Sequence, residues 1–227
     1  MGLIGEIVAK TANDVWKMAL TERQMAQLER YAELIVEWNA TRMNLTRITE
    51  PAEMALKHFI DSLSVLAVVP PRVNARVVDI GTGAGLPGIV MKIARPDLQV
   101  TLLDSTAKKL TFCQAVIDDL ELQGIAVLNG RAETVGRLPE HTKGYELAVA
   151  RAVAPLEKLL PWCAPFVAAR GAFVAMKGPA VSAEMEAAIP TARRFGLTLE
   201  PPREVVIPGH EGEGERWLVV GRRIARS

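Results

Sequence analysis

The chain has 227 residues, 49% of them hydrophobic and 23% charged, with 27 Lys or Arg against 26 Asp or Glu. That is enough chain for one α/β unit with a sizeable core. The net charge of +1 excludes a global basic field of the kind that holds nucleic acid without sequence preference.

Two cysteines, Cys113 and Cys163, show no CxxC spacing. No metal site is expected, and both read as small buried hydrophobes in a reducing cytoplasm. The opening "MGLIGEIVAK" puts Glu6 where a myristoylation pattern needs Ser or Thr. No apolar run is long enough to span a bilayer, so a soluble, cytoplasmic chain with no membrane partner is expected.

In chain order, Thr21 caps a helix in which Met25, Leu28, Tyr31, Ala32, Ile35 and Trp38 recur at helical spacing. "WNATRMNLTRITE" is a polar loop. A second helix runs from Pro51 to about Val68, and "PPRVNA" ends the helical part. Residues 1–70 are therefore predicted as a helical extension and 71–227 as the main domain. From Arg76, strands and helices alternate: strand "ARVVDI", helix "LPGIVMKIA", strand "QVTLLD", then a helix from about Thr106 to Leu122. Next come strands "IAVLNG" and "YELAVARA", and a helix "PLEKLLPWCAPFVAA" interrupted by Pro161 and Pro165. Strand "GAFVAMKG" is followed by a helix broken at Pro190. "LTLEPPREVVIP" and "RWLVVGRR" read as two strands that can pair as a hairpin. This alternation predicts an α/β, Rossmann-like, mostly parallel sheet with an antiparallel edge hairpin.

Two fingerprints overlap in "VVDIGTGAGLPG". G-x-G-x-x-G from Gly83 to Gly88 fits a dinucleotide loop and is weak alone. D-x-G-x-G-x-G, from Asp79 through Gly81 and Gly83 to Gly85, fits methyltransferases that use S-adenosylmethionine. A dinucleotide brings a pyrophosphate against this turn, which Asp79 would repel. The sulfonium and ammonium of S-adenosylmethionine favour a carboxylate nearby, directly or through water. Asp104 ends the second strand, where a carboxylate bonds ribose hydroxyls in either cofactor class; it could equally cap the next helix. Ala132 and Glu133, in "NGRAE", stand where an adenine would be edged.

"VVDIGTGAGLPGI", "LLDSTAKKLTF", "GRAE", "ARAVAPLEKLL" and "AMKG" occur in this order, behind "WNATRMNLT" and "HFIDSLSVL". Together they resemble the RsmG (GidB) family, bacterial enzymes that make 7-methylguanosine in 16S ribosomal RNA. The motifs cover roughly Tyr31 to Gly178. The resemblance implies methyl transfer from S-adenosylmethionine to guanine N7, with 16S RNA or the small subunit as partner; a monomer is expected. It implies cofactor contacts from Gly81, Leu86, Asp104, Ser105, Thr106, Ala132 and Glu133. Arg151 belongs at the cofactor and substrate edge.

Guanine N7 carries a free lone pair and needs no deprotonation, so positioning and electrostatics would do most of the work. No general base stands out: His58, His141 and His210 are scattered. Arg151 could contact O6 or a phosphate, and Lys177, after strand five, a phosphate. Asn44 could read a base edge or merely cap its loop, with Arg42 and Arg47 on phosphate beside it. His58 and Asp61, three apart on a helix, could face the site or pair with each other. Arg151, Asn44 and His58 are thus the catalytic candidates, and Arg42, Arg47 and Lys177 the RNA-binding ones. Trp16 and Trp38 read as core. Residues 1–75 hold eight Lys or Arg against nine Asp or Glu, so they are not a basic arm. Arg222, Arg223 and Arg226 could add basic surface or only solubilise the tail. Three alternatives stay open: a methyltransferase of this fold acting on a small molecule or protein, a cofactor-binding sensor, and a nicotinamide oxidoreductase.

Overall fold

The structure, a computed structural model, describes residues 2–151, 153–207 and 216–223. His210, Arg226 and Ala152 of the "ARA" motif lie outside the described residues.

Four helical pieces come first: α1 (Leu3–Trp16), α2 (Glu22–Thr41), α3 (Pro51–Met54) and α4 (Asp61–Val68). A π-helical turn, Ala55–Ile60, joins α3 to α4, so the predicted helix over 51–68 is one continuous rod with a wide turn in its middle. Thr21 caps α2 as expected, in a reciprocal pair with Gln24.

Strands β1 (Arg76–Ile80), β2 (Gln99–Asp104), β3 (Ile125–Asn129), β4 (Tyr145–Arg151) and β5 (Val167–Lys177) are parallel. Between and after them stand α5 (Gly88–Ala94), α6 (Ala107–Asp119), α7 (Ala132–Val135), α8 (Leu156–Cys163) and α9 (Val181–Arg194). The sheet continues through β8 (Arg216–Arg223) to β6 (Leu197–Leu199), in the order β3-β2-β1-β4-β5-β8-β6. The chain reverses direction across the sheet between β1 and β4, and the carboxyl ends of those strands open a crevice. One face of the sheet buries Val77, Leu102, Val149 and Val174 against α1, α2, α4, α5 and α6. The other buries Val78, Ile80, Ala148 and Phe173 against α8 and α9. The amino-terminal helices therefore share a core with the sheet.

Three features differ from the sequence-based expectation. Strand five starts at Val167, not Gly171, because the helix before it stops at Cys163 and a 3-10 turn, Ala164–Phe166, contains Pro165. Pro190 does not break α9: it is exposed, so the carbonyl it leaves unpaired faces water, while Ala188 and Ala192 bury the other side. The antiparallel edge is present, but "LTLEPPREVVIP" splits at Pro201 and Pro202. β6 and β7 (Arg203–Val205) lie end to end along β8, and β8 itself is inserted beside β5.

Candidate active site

The loop after β1 turns on Gly81, Gly83 and Gly85, with φ of +70°, +60° and +87°. Those values favour glycine. Five of the loop's N–H groups, and the first of α5, have acceptors within the protein. Gly81 and Thr82 donate to the Leu103 carbonyl at 2.8 and 3.1 Å, and Gly85 and Leu86 to the Thr82 carbonyl at 2.9 and 3.0 Å. Gly83 donates to Asp104 Oδ2 at 3.0 Å, and Gly88, the first residue of α5, to Asp79 Oδ2 at 2.8 Å. A phosphate cradle needs such donors free. Here a carboxylate already takes the first N–H of the helix, and the dinucleotide fingerprint is incidental.

Asp79 is fully buried and also accepts the Thr82 hydroxyl at 2.6 Å. Its Oδ1 is buried with no partner among the described residues. Burial pushes its pKa up to about 6, against the pull of Thr82 and Gly88. Asp79 thus organises the loop from below, and direct contact with a cofactor, expected from sequence, does not fit its burial.

Above the loop lies a cleft of about 410 Å³, a size suited to a small organic cofactor. Of the predicted contacts, Gly81, Asp104, Ser105, Thr106, Ala132, Glu133 and Arg151 line it. Asp79, Gly83, Gly85 and Leu86 are not among its lining residues; Leu86 is buried in the core on the α2 side. Asp104 is nearly buried and holds the loop to strand two, accepting Gly83 N–H with one oxygen and Thr106 N–H at 2.8 Å with the other. Each oxygen keeps a lone pair for a ribose hydroxyl. Ile80, Leu103, Val153 and Trp162 add apolar wall, and Lys109, Gly130 and Arg131 the rest. Sequence reasoning missed these seven. Ile80 and Leu103 sit beside predicted residues, but Val153 and Trp162 come from across the sheet's switch point. A carboxylate beside apolar walls, with most of the loop's N–H groups already bonded within the protein, fits a nucleoside better than a pyrophosphate.

Arg151, at the end of β4, donates from Nη1 to the Lys57 carbonyl at 3.2 Å and to Asp61 Oδ2 at 3.4 Å. Asp61 also meets Arg216 Nε at 3.7 Å. Burial raises the Asp61 pKa, against the pull of the two guanidiniums. Asp61 therefore pairs with arginines and not with His58. His58 Nε2 lies 3.0 Å from the Thr46 hydroxyl, and its pKa is lowered to about 4 by burial and the nearby Arg151 charge. It is neutral, buried and outside the cleft lining, which removes it as a candidate catalytic group.

Asn44 is exposed, and its neighbour Asn39 organises the loop instead: Asn39 Oδ1 accepts Leu45 N–H at 2.6 Å and Nδ2 donates to the Thr46 carbonyl at 2.8 Å. Arg42 lies over the Trp38 ring at 4.4 Å, and Trp38 packs edge-on against Phe112. Arg42 and Arg47 are exposed, and neither they nor Asn44 line the cleft. Lys177 is the clearest correction. It is sequestered, bonding Glu184 at 2.6 Å and the Ala154 carbonyl at 3.0 Å, so it is not free for phosphate. Arg222 bonds Glu200 and Arg223 the Ala164 carbonyl, so these two are structural as well.

Residues 24–193 match the family model described as rRNA small subunit methyltransferase G. The chain belongs to that family. Relatives named ribosomal RNA small subunit methyltransferase G include one from Symbiobacterium thermophilum, 46% identical over 85% of this chain and 79% of its own length. Another, from Desulforamulus reducens, is 42% identical over 89% of this chain and 84% of its own. The fold of this family member is also that of more distant methyltransferases. A putative methyltransferase solved with the Trm112 activator of Haloferax volcanii aligns at TM-score 0.60 and 15% identity, over 83% of this chain and 97% of that one. A geranyl diphosphate methyltransferase solved with S-adenosylmethionine aligns at 0.55 and 13%, over 79% and 93%. Among the described residues no group of three His, Cys, Asp or Glu could hold a metal, and no helix is long and apolar enough to cross a membrane.

Proposed function

We propose that this chain transfers a methyl group from S-adenosylmethionine to N7 of a guanine in 16S ribosomal RNA. The observation that carries the reading is the family match over residues 24–193. The internally bonded glycine loop supports the cofactor class independently.

Bound S-adenosylmethionine supplies an electrophilic methyl on a cationic sulfur. Asp104 accepts the ribose hydroxyls while its other contacts keep the glycine loop on strand two. Ala132 and Glu133 edge the adenine, and Trp162, Val153 and Ile80 exclude water around it. Asp79, below the loop, contributes negative charge through a dry interior, where charge acts strongly. Arg151 projects at the cleft from the end of β4, held by Asp61 and the Lys57 carbonyl. It orients the guanine through O6 or a flanking phosphate and leaves N7 open. Because N7 needs no deprotonation, no side chain has to take a proton, and a neutral His58 is compatible with this chemistry. Arg42 and Arg47 hold RNA phosphate farther from the base, with Asn44 between them as a base-edge contact. We read the enzyme as a cytoplasmic monomer.

Methyl transfer is tested with labelled S-adenosylmethionine on free 16S RNA, on small subunits and on small-molecule extracts, with nucleosides identified by mass spectrometry. Label in 7-methylguanosine of 16S RNA is expected. Label only in small molecules or protein would sink the RNA reading in favour of another methyltransferase of this fold.

A further inference from the structure

The glycine loop is gripped from the amino-terminal helices, and one side chain does the gripping. Tyr31, on α2, is fully buried, and its hydroxyl donates to the Ala84 carbonyl at the apex of the loop. Its ring is stacked on Phe59 and Phe112, at centroid distances of 5.4 and 6.4 Å. A side chain on Gly85 would come within 2.9 Å of that hydroxyl, so the loop and the tyrosine are built against each other.

Seven residues before Tyr31, two turns back on the same helical face, stands Gln24. Its Nε2 donates to the carbonyls of Ile93 and Ala94, at 2.8 and 3.0 Å. Those are the last residues of α5. Seven residues of α-helix span about 10 Å, which is also the length of a helix the size of α5. So α2 holds α5 by both ends: Gln24 at the carboxyl end, and Tyr31 at the loop that leads into the amino end. From below, the Cys113 thiol lies 3.5 Å from the Gly83 carbonyl. The donors of Gly81, Thr82, Gly83 and Gly88 go to the sheet, Asp104 and Asp79, those of Gly85 and Leu86 to the Thr82 carbonyl, and the apical acceptor takes Tyr31.

We infer that Tyr31 is a positioning residue for the cofactor: its hydroxyl holds the glycine loop in the shape that receives S-adenosylmethionine, and makes cofactor affinity depend on α2. The inference rests on the proposed cofactor but not on the RNA substrate. Tyr31 does not line the cleft, so it acts through the loop. Losing the hydroxyl leaves a buried carbonyl without its donor and lets the loop relax.

The test is Tyr31→Phe, which keeps the ring stack and removes the donor. The dissociation constant of S-adenosylmethionine, measured by calorimetry, is expected to rise roughly 5- to 10-fold. KM for 16S RNA, and kcat at saturating cofactor, are expected to stay within about twofold, because the loosened loop is restored once the cofactor is bound. A role confined to stability would lower the melting temperature and leave cofactor affinity unchanged in the folded variant; that result overturns the inference. Should the variant fail to fold, hydrogen exchange on the unaltered chain decides. The bonded amides of Gly81, Thr82, Gly83, Gly85 and Leu86 must exchange slowly even without cofactor, and fast exchange there overturns it. A wild-type protein that binds S-adenosylmethionine but does not methylate RNA would remove the RNA reading and leave this inference standing.

Discussion

Replacing Asp79 by Asn removes a buried charge and keeps its shape. One oxygen of Asp79 accepts both the Thr82 hydroxyl and the Gly88 N–H, and the amide oxygen of Asn can accept both. Burial lifts the Asp79 pKa from its ordinary 3.8 to about 6. Two pKa units amount to about 3 kcal/mol of penalty on the charged form. Because the folded-state pKa lies above the unfolded one, the penalty is absent below about pH 4 and fully present above about pH 6. Asp79 therefore lowers stability as pH rises through that window. His58 works in the opposite direction. Its pKa falls from 6.5 to about 4, so the stability it supports is lost as pH drops through nearly the same range. The two oppose each other, so the wild-type profile alone isolates neither. The difference between Asp79→Asn and wild type isolates Asp79. By urea unfolding, that difference should move by about 3 kcal/mol in favour of the variant between pH 4 and pH 7.5. The unpaired amide hydrogens of Asn add a cost that does not vary with pH. A difference that stays constant from pH 4 to pH 7.5 would refute the buried carboxylate.

Asp104→Asn can no longer accept Gly83 and Thr106 N–H groups with both ends of the side chain, and loses its charge toward the ribose. S-adenosylmethionine affinity by calorimetry should fall by roughly 10-fold or more, and unchanged affinity would remove Asp104 from the cofactor site. Gly85→Ala combines a φ of +87° with a Cβ only 2.3 Å from Ile89 Cδ1, whereas Gly83→Ala has φ +60° and no neighbour nearer than 3.9 Å. Denaturation should therefore cost the first variant about 2–4 kcal/mol and the second about 1–2 kcal/mol, and equal costs would contradict the packing. Lys177→Ala should destabilise the fold by about 1–3 kcal/mol without altering the salt dependence of RNA binding. Arg42→Ala or Arg47→Ala should each reduce the slope of log affinity against log salt by about one, as filter binding at several salt concentrations would reveal.

What could be read in the sequence is what is local. Thr21 caps α2; β-branched runs alternate with helical ones; and Asp79 precedes three glycines at the spacing of a tight strand-to-helix turn. Seven predicted residues line the cleft because they follow strand ends, and strand ends converge in a parallel sheet. The misses are contacts between distant segments. Lys177 looked free because Glu184 reaches it only after α9 folds back. Asp61 holds Arg151 and Arg216 from ninety residues away or more, which no spacing rule detects. Asn44 and Asn39 share a polar stretch, and only the loop's path makes Asn39 the organising one. "APFVAA" continues a helical composition, and its turn into β5 depends on pairing with β4. Burial of Asp79 was also invisible: the carboxylate argument from sequence was sound in sign, but the charge lies under the loop instead of in the cleft.

The most direct measurement is nucleoside mass spectrometry of 16S RNA from cells lacking this gene. A 7-methylguanosine should be missing from that RNA, return with the wild-type gene, and stay missing with an Arg151→Ala gene that still yields folded protein. A full complement of 7-methylguanosine in the deletion strain's 16S RNA would contradict the account.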